Sequence, residues 1–247
     1  MLDGWELVIA LVAVFLGATI MGTVSFGFAL VVAPVLLLFL DPPQSVVVIA
    51  NILIVILLAF VLFQTRRHLS LRPLLGMVTG GLAAVPLGVV FLNLADPVVL
   101  RMAIGGVILV LGTLVLFKVQ IPLGRHRLGG PVFGFLASLS ITSLSIGGPL
   151  AAVYVMAQGW PPPVMRASLA FFFLSNYILA IVLYFVVGLV DRDTLVNAGL
   201  LVPAVLAGLV LASLIVNRIN EGVFRYAAIV VIIVGSLVLL GREVIRL

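Results

Sequence analysis

The sequence predicts an all-α, polytopic membrane protein made of two inverted repeats, each with a broken or re-entrant first helical block followed by three transmembrane helices. Three observations lead there. The 247 residues are 64% hydrophobic and only 9% charged, with a mean hydropathy of +1.45, whereas a soluble domain carries about 25% charged residues. Thirteen basic and eight acidic side chains cannot solvate a particle of this size, so the solvent must be a bilayer. Charges and prolines also divide the chain into apolar blocks, most of them close to the ~20 residues that cross ~30 Å of hydrocarbon as a helix. Finally, the second half follows the first at a near-constant offset, the internal symmetry expected of a secondary transporter.

In order, the blocks cover residues 5–40, 45–63, 71–92, 98–117, 131–160, 167–190, 195–216 and 223–240. The first and fifth exceed one span and carry internal glycine, serine and proline. An offset of 120 lays Ser25-Phe26-Gly27 on Ser145-Ile146-Gly147 and Pro42-Pro43 on Pro162-Pro163. A few insertions later, Arg101 falls on Arg225. The repeats are therefore residues 1–124 and 125–247, together one transport domain. Arg101 and Arg225 sit near span starts and read as anchors.

Loop charges orient the halves. Arg66, Arg67 and Arg72 follow the second block, whereas Asp191 and Asp193 flank Arg192 at the corresponding place in the second half. By the tendency of basic loops to stay inside, the Arg66 loop, the central Arg125-His126-Arg127 loop and the segments holding Arg166 and Arg218 face the cytoplasm. Asp41, Asp96 and Asp191 face out. Both ends of the fifth block then lie on one side, so that block enters and returns, and the first does the same from the opposite side. Two half-depth arms fit the first block, whose helix of ~54 Å is too short for two spans and long for one. The alternative is one long, kinked span per half and parallel repeats.

The tips of these arms would be residues 22–27 and 142–149. Irregular backbone cannot face lipid, because each unsatisfied amide costs several kcal/mol, so a break at depth must be buried in protein or line a wet cavity. Glycine gives backbone freedom, Ser and Thr offer hydroxyls, and Pro149 suits the first turn of a new helix. Helices starting near Ser25 and Gly148 would aim free amides and positive dipole ends at the midplane. With Thr23, Ser25, Gly27, Ser143, Ser145, Gly147 and Gly148, they would replace the hydration shell of a small oxyanion. The same small residues also serve close helix packing.

At these residues the chain resembles the sulfite exporter TauE/SafE family of membrane permeases. The resemblance rests on GTVSFGFALVVAPVLLLFLDPPQSVVVIAN in the first half and SIGGPLAAVYVMAQGWPPPVMRASLAFFF in the second, and the repeated organisation covers essentially the whole chain. It implies transport, commonly export from bacteria, of a sulfur-containing anion such as sulfite, a sulfonate or sulfoacetate, and hence a place in the bacterial inner membrane. Many members are more glycine-rich in the first break; here it contains Phe26 and Phe28.

Other polar residues extend the candidate substrate site. Arg166 either draws an anion to the cytoplasmic mouth or snorkels to headgroups. Asn51, Asn176 and Tyr177 lie inside apolar blocks and either touch substrate or bond between helices. Gln158 ends the second arm and binds or faces the interface. No metal or cofactor is expected: His68 and His126 lack partners at metal-ligand spacing, and no cysteine exists. No phosphate loop of the GxxxxGK[ST] type and no nucleophile with a base is present, so an enzyme is not expected. The scattered basic residues argue against a nucleic-acid partner. The expected partners are the anion and membrane lipid, and a homodimer is allowed. The start MLDGWELVIA has no basic stretch, so no removable signal peptide is expected. Without a carboxylate in any apolar interior, no coupling proton is expected either. A non-transporting membrane scaffold or assembly protein and a lipid-modifying enzyme are the competing readings.

Overall fold

A computed structural model describes residues 2–116 and 129–215. Among them are nine α-helices and no strand: α1 (Gly4–Val24), α2 (Phe28–Leu36), α3 (Pro43–Thr65), α4 (Leu75–Leu94), α5 (Pro97–Leu116), α6 (Gly129–Leu144), α7 (Gly148–Ala157), α8 (Pro162–Val186) and α9 (Arg192–Ile215). The expected block 223–240, the Arg125-His126-Arg127 loop, Arg218 and Arg225 lie outside the described residues. Five helices, α1, α3, α4, α8 and α9, are long and apolar enough to cross a membrane. The protein is an all-helical, multi-pass membrane protein.

Local chemistry sets the helix starts. α3 and α8 begin with proline in the first turn, where its fixed φ helps and its missing N–H is no loss. The Asp96 carboxylate accepts the Val98 amide at 2.8 Å, and Asp191 accepts that of Thr194 at 2.7 Å, capping α5 and α9. The outer faces are apolar: Val8, Val12 and Leu16 on α1 and Leu87, Val90, Phe91 and Leu94 on α4 are all exposed. Such faces belong against hydrocarbon.

Contacts give each helix a direction. Along α1 and α9, Leu2 meets Asn197, Thr19 meets Gly208 and Gly22 meets Ala212, so the two run parallel. Likewise α4 runs parallel to α6, with Gly80 on Pro131, Met77 on Gly134 and Gly88 on Thr142. In contrast, Asn51 near the start of α3 bonds Tyr184 near the end of α8, which makes that pair antiparallel.

The long blocks fold back on themselves. Gly27 approaches Ile20, Gly17 approaches Phe28 and Val32, and Phe39 returns to stack edge-on against Trp5 at 5.3 Å. α7 returns along α6 in the same way, with Gly147 on Ala137 and Ile141 and the Tyr154 ring 6.0 Å from that of Phe133. The arms are unequal, in contrast to the half-depth pair expected for the first block. α1 has 21 residues and α2 nine, α6 has 16 and α7 ten. At 1.5 Å per residue this is ~31 Å against ~14 Å and ~24 Å against ~15 Å. The return from α2 is completed by the turns of residues 37–42, which is why Phe39 reaches Trp5 although α2 is short.

These directions sort the charges. The starts of α1, α3 and α9 and the α4–α5 turn share one end, which holds Asp3, Glu6, Asp41, Asp96, Asp191 and Asp193 with Arg101 and Arg192. An Arg101–Asp41 ion pair and a bond from Gln44 to the Ala95 carbonyl at 3.1 Å bind it together. The starts of α4, α6 and α8 share the opposite end with Arg66, Arg67, His68, Arg72 and Arg166. Among the described residues no acid lies there.

The α1–α9 and α4–α6 contacts depend on glycine. A Cβ on Gly208 would stand 2.6 Å from both the Ala18 Cβ and the Phe15 carbonyl, whereas one on Gly199 in the same helix would meet nothing within 4 Å. Gly208→Ala is therefore expected to force α1 and α9 apart and to destabilise the protein by about 1–3 kcal/mol, the usual range for overpacking. Gly199→Ala should hold or gain stability, by up to about 1 kcal/mol from helix propensity. Thermal unfolding of both variants in detergent checks the contrast, and equal midpoints would contradict it.

Candidate functional site

Each hairpin turns at a serine in the left-handed conformation. Ser25 has φ 68° and Ser145 φ 62°, and their amides donate back to the carbonyls of Met21 (2.8 Å) and Ile141 (2.9 Å). The Ile146 amide adds a bond to the Ser140 carbonyl at 3.3 Å. This closes a helix end as glycine usually does, at a cost of roughly 1–3 kcal/mol for a residue with a Cβ. Gly27, with φ 99°, then starts α2 from a conformation that favours glycine.

Neighbouring helices hold the second tip with neutral groups. Asn51 is fully buried on α3; its Nδ2 donates to the Ile141 carbonyl (3.3 Å) and the Tyr184 hydroxyl (2.8 Å), and its Oδ1 accepts from Ser145 Oγ (2.6 Å). The Tyr184 hydroxyl donates in turn to the Thr142 carbonyl. Tyr177, buried on α8, lines the same cavity as Ser145. The last carbonyls of α6, orphaned by the end of the helix, are thus taken up by α3 and α8.

The first tip is held differently. Arg166 Nη2 donates to the Gly22 carbonyl at 2.9 Å, a cation on the negative end of α1. The Ser25 hydroxyl, fully buried, has no partner. Gly22 and Ser25 stand 120 residues before Thr142 and Ser145, so corresponding places in the two tips are satisfied by different chemistry.

The tips meet. Phe26 of the first packs on Gly148 of the second, where an added Cβ would lie 2.8 Å from the phenylalanine Cβ. Beside this contact is a cavity of about 20 Å³, lined by Phe26, Gly27, Phe28, Ser145, Gly147, Gly148 and Tyr177 with apolar walls from Met21, Ile54 and Phe173. It has room for about one water. The first amides of α2, from Phe28 to Leu30, have no acceptor within their helix, and no other described hydrogen bond takes them up.

The structure brings five of the expected site residues, Gly27, Ser145, Gly147, Gly148 and Tyr177, to the cavity wall. Asn51 stands behind Ser145, while Ser25 and Arg166 belong to the first tip. The remaining four turn elsewhere. Thr23 and Ser143 bond the carbonyls of Ile20 (2.8 Å) and Leu139 (2.6 Å) on their own helices. Asn176 accepts from Ser138 Oγ at 2.8 Å and donates to the Phe172 carbonyl at 2.6 Å, joining α8 to α6. Gln158 reaches the Tyr154 carbonyl at 3.4 Å. Sequence reasoning missed Tyr184 as a fastener and Phe26 as the contact between tips. Tyr184 carried a signal, since a hydroxyl inside an apolar helix needs a partner.

Compared with known proteins, the family model described as Sulfite exporter TauE/SafE matches residues 9–239. No curated protein and no solved structure matches.

Because Asn51 and Tyr184 share one hydrogen bond and grip adjacent carbonyls, their contributions should be coupled. Tyr184→Phe strips the Thr142 carbonyl of its partner and is expected to cost about 1–3 kcal/mol, and Asn51→Leu more. The double variant should fall short of the sum by about 0.5 kcal/mol or more. Denaturation midpoints of the four proteins in mixed micelles check this, and strict additivity would show that the two residues act separately.

Proposed function

The chain belongs to the sulfite exporter TauE/SafE family, and from that premise we propose that it carries a small sulfur-containing anion, such as sulfite, a sulfonate or sulfoacetate, through the place where the two hairpin tips meet. The observation that carries this reading is the convergence of both breaks on one cavity bounded by glycine backbone, two helix starts and the Ser145 and Tyr177 hydroxyls. Backbone amides and the positive ends of helices suit an oxyanion without binding it too tightly to leave. With room for about one water, the cavity corresponds to a closed form, in which Phe26 fills the space that an anion takes when the tips part.

Residues 1–124 and 125–247 act in this reading as inverted repeats. Its support is the antiparallel pairing of α3 with α8, the equivalent helices of the two halves, and the matched α1–α9 and α4–α6 pairs. Alternating access then rocks the two hairpins about their contact. The end bearing Arg66, Arg67, Arg72 and Arg166 is cytoplasmic and the acidic end faces out, in accord with the distribution of basic residues across bacterial inner membranes. All acids among the described residues lie at the outer end, so none sits at mid-depth to carry a proton. An inside-negative potential by itself favours exit of an anion by about 2.3 kcal/mol per charge per 100 mV, and net movement is outward.

Reconstituted vesicles test this. Saturable sulfite or sulfonate flux is expected from the natural protein, increasing as the potential is made to favour anion exit. Gly148→Leu, which drives a side chain into Phe26, should lower flux by about tenfold or more, equal to a barrier of about 1.4 kcal/mol, while the protein stays monodisperse. Absence of flux for sulfite, sulfonates and sulfoacetate from well-folded protein would instead support a scaffold role.

A further inference from the structure

Resting on the transport reading, we propose that Arg166 recognises the charge of the anion by giving up Gly22, so that loading the site and releasing the first hairpin tip are one event. The guanidinium carries five N–H donors. One bond goes to the Gly22 carbonyl, and the buried Nε has no partner. Among the described residues no carboxylate pairs with it, the ion pair there being Arg101–Asp41 at the opposite end. A partly buried cation whose described partner is a neutral carbonyl is poorly compensated, and an anion outcompetes that carbonyl because it brings a full opposite charge and can pair with the planar guanidinium through two parallel bonds.

Three residues beyond Gly22, on the same tip, the buried Ser25 hydroxyl also lacks a partner. The second tip offers a contrast at equivalent places. There Tyr184 holds the Thr142 carbonyl, Asn51 holds the Ile141 carbonyl, and Ser145 bonds Asn51. None of these groups is charged, so an anion has no strong claim on them. The second tip is therefore the fixed wall and the first the moving one. When Arg166 turns to the anion, the carbonyl of Gly22, which is buried, loses its partner, and a buried backbone group left unsatisfied is costly. The tip must shift, and it takes Phe26 off Gly148.

Two measurements separate this role from simple capping of α1. Arg166→Gln keeps a side-chain donor for Gly22 but removes the charge; it is expected to raise the KM for sulfite about tenfold or more with kcat less affected, and Arg166→Lys should recover part of the loss. A KM within twofold of the natural value in a folded Arg166→Gln protein would overturn the proposal.

The second measurement needs no transport. The chain has no cysteine, so Ser25→Cys and Ser145→Cys each supply a sole thiol for alkylation by iodoacetamide in vesicles. Arg166→Ala on the Ser25→Cys background, which leaves Gly22 without a donor, should raise alkylation at position 25 several-fold without any anion, and leave Ser145→Cys slow on the same background. In the protein with Arg166, sulfoacetate should speed position 25 alone. Equal rates at the two positions, or no effect of Arg166→Ala, would sink the latch even if flux is observed. Absent flux with the Arg166→Ala effect present would instead overturn the transport reading and leave the latch standing.

Discussion

Hydrocarbon offers no hydrogen-bond partner, so every backbone amide and carbonyl inside a bilayer must be satisfied by the protein. An uninterrupted helix meets that demand by itself. A chain that breaks its helix at depth creates up to four orphan carbonyls on one side of the break and four orphan amides on the other, and the rest of the molecule has to supply their partners. The turns at Ser25 and Ser145 close part of the carbonyl side through their own amides. Asn51 and Tyr184 take up the Ile141 and Thr142 carbonyls at one tip, and Arg166 takes up that of Gly22 at the other. On the amide side, no described hydrogen bond takes up the first donors of α2, and α2 begins beside the cavity between the tips.

Partners can reach the tips only if the hairpins are held close to the long helices. Gly22 and Gly208 bring α1 onto α9, while Gly80, Gly88 and Gly134 bring α4 onto α6. In lipid there is no hydrophobic gain from pressing two apolar helices together, so close approach of backbones through small residues is what makes the contact favourable. Small residues thus serve the turns as well as the packing: Gly27 takes a left-handed φ of 99° at the start of α2, and Gly148 lets Phe26 pack against its backbone where the hairpins meet.

The all-helical, membrane-spanning class could be read from the shortage of charge, since nothing but lipid can solvate such a surface. The breaks were legible as well, because residues 22–27 and 142–149 combine glycine, hydroxyls and proline in otherwise apolar sequence. Arm lengths were not. A block of fixed length can turn anywhere, and the site of the turn depends on which backbone carbonyls find partners across the protein, a fact of tertiary contact. The same limit applies to the polar residues. Ser143 and Ser145 look alike in sequence, yet Ser143 lies within the last turn of α6, while Ser145 stands beyond its end in the left-handed conformation. Ser143 accordingly bonds its own helix, and Ser145 faces Asn51 and the cavity.

The two tips are alike in backbone, each turning at a left-handed serine, and differ in what holds them. Were two halves related by a twofold axis in the membrane plane and held by identical contacts, the openings to the two sides would be equal in energy. Here the equivalents of one position are a glycine carbonyl held by a guanidinium and a threonine carbonyl held by a phenol. The first of these contacts carries a charge and the second does not. Divergence at so few positions is enough to bias a pair of states separated by a few kcal/mol. The charged contact lies toward the end of the molecule where Arg66, Arg67, Arg72 and Arg166 gather.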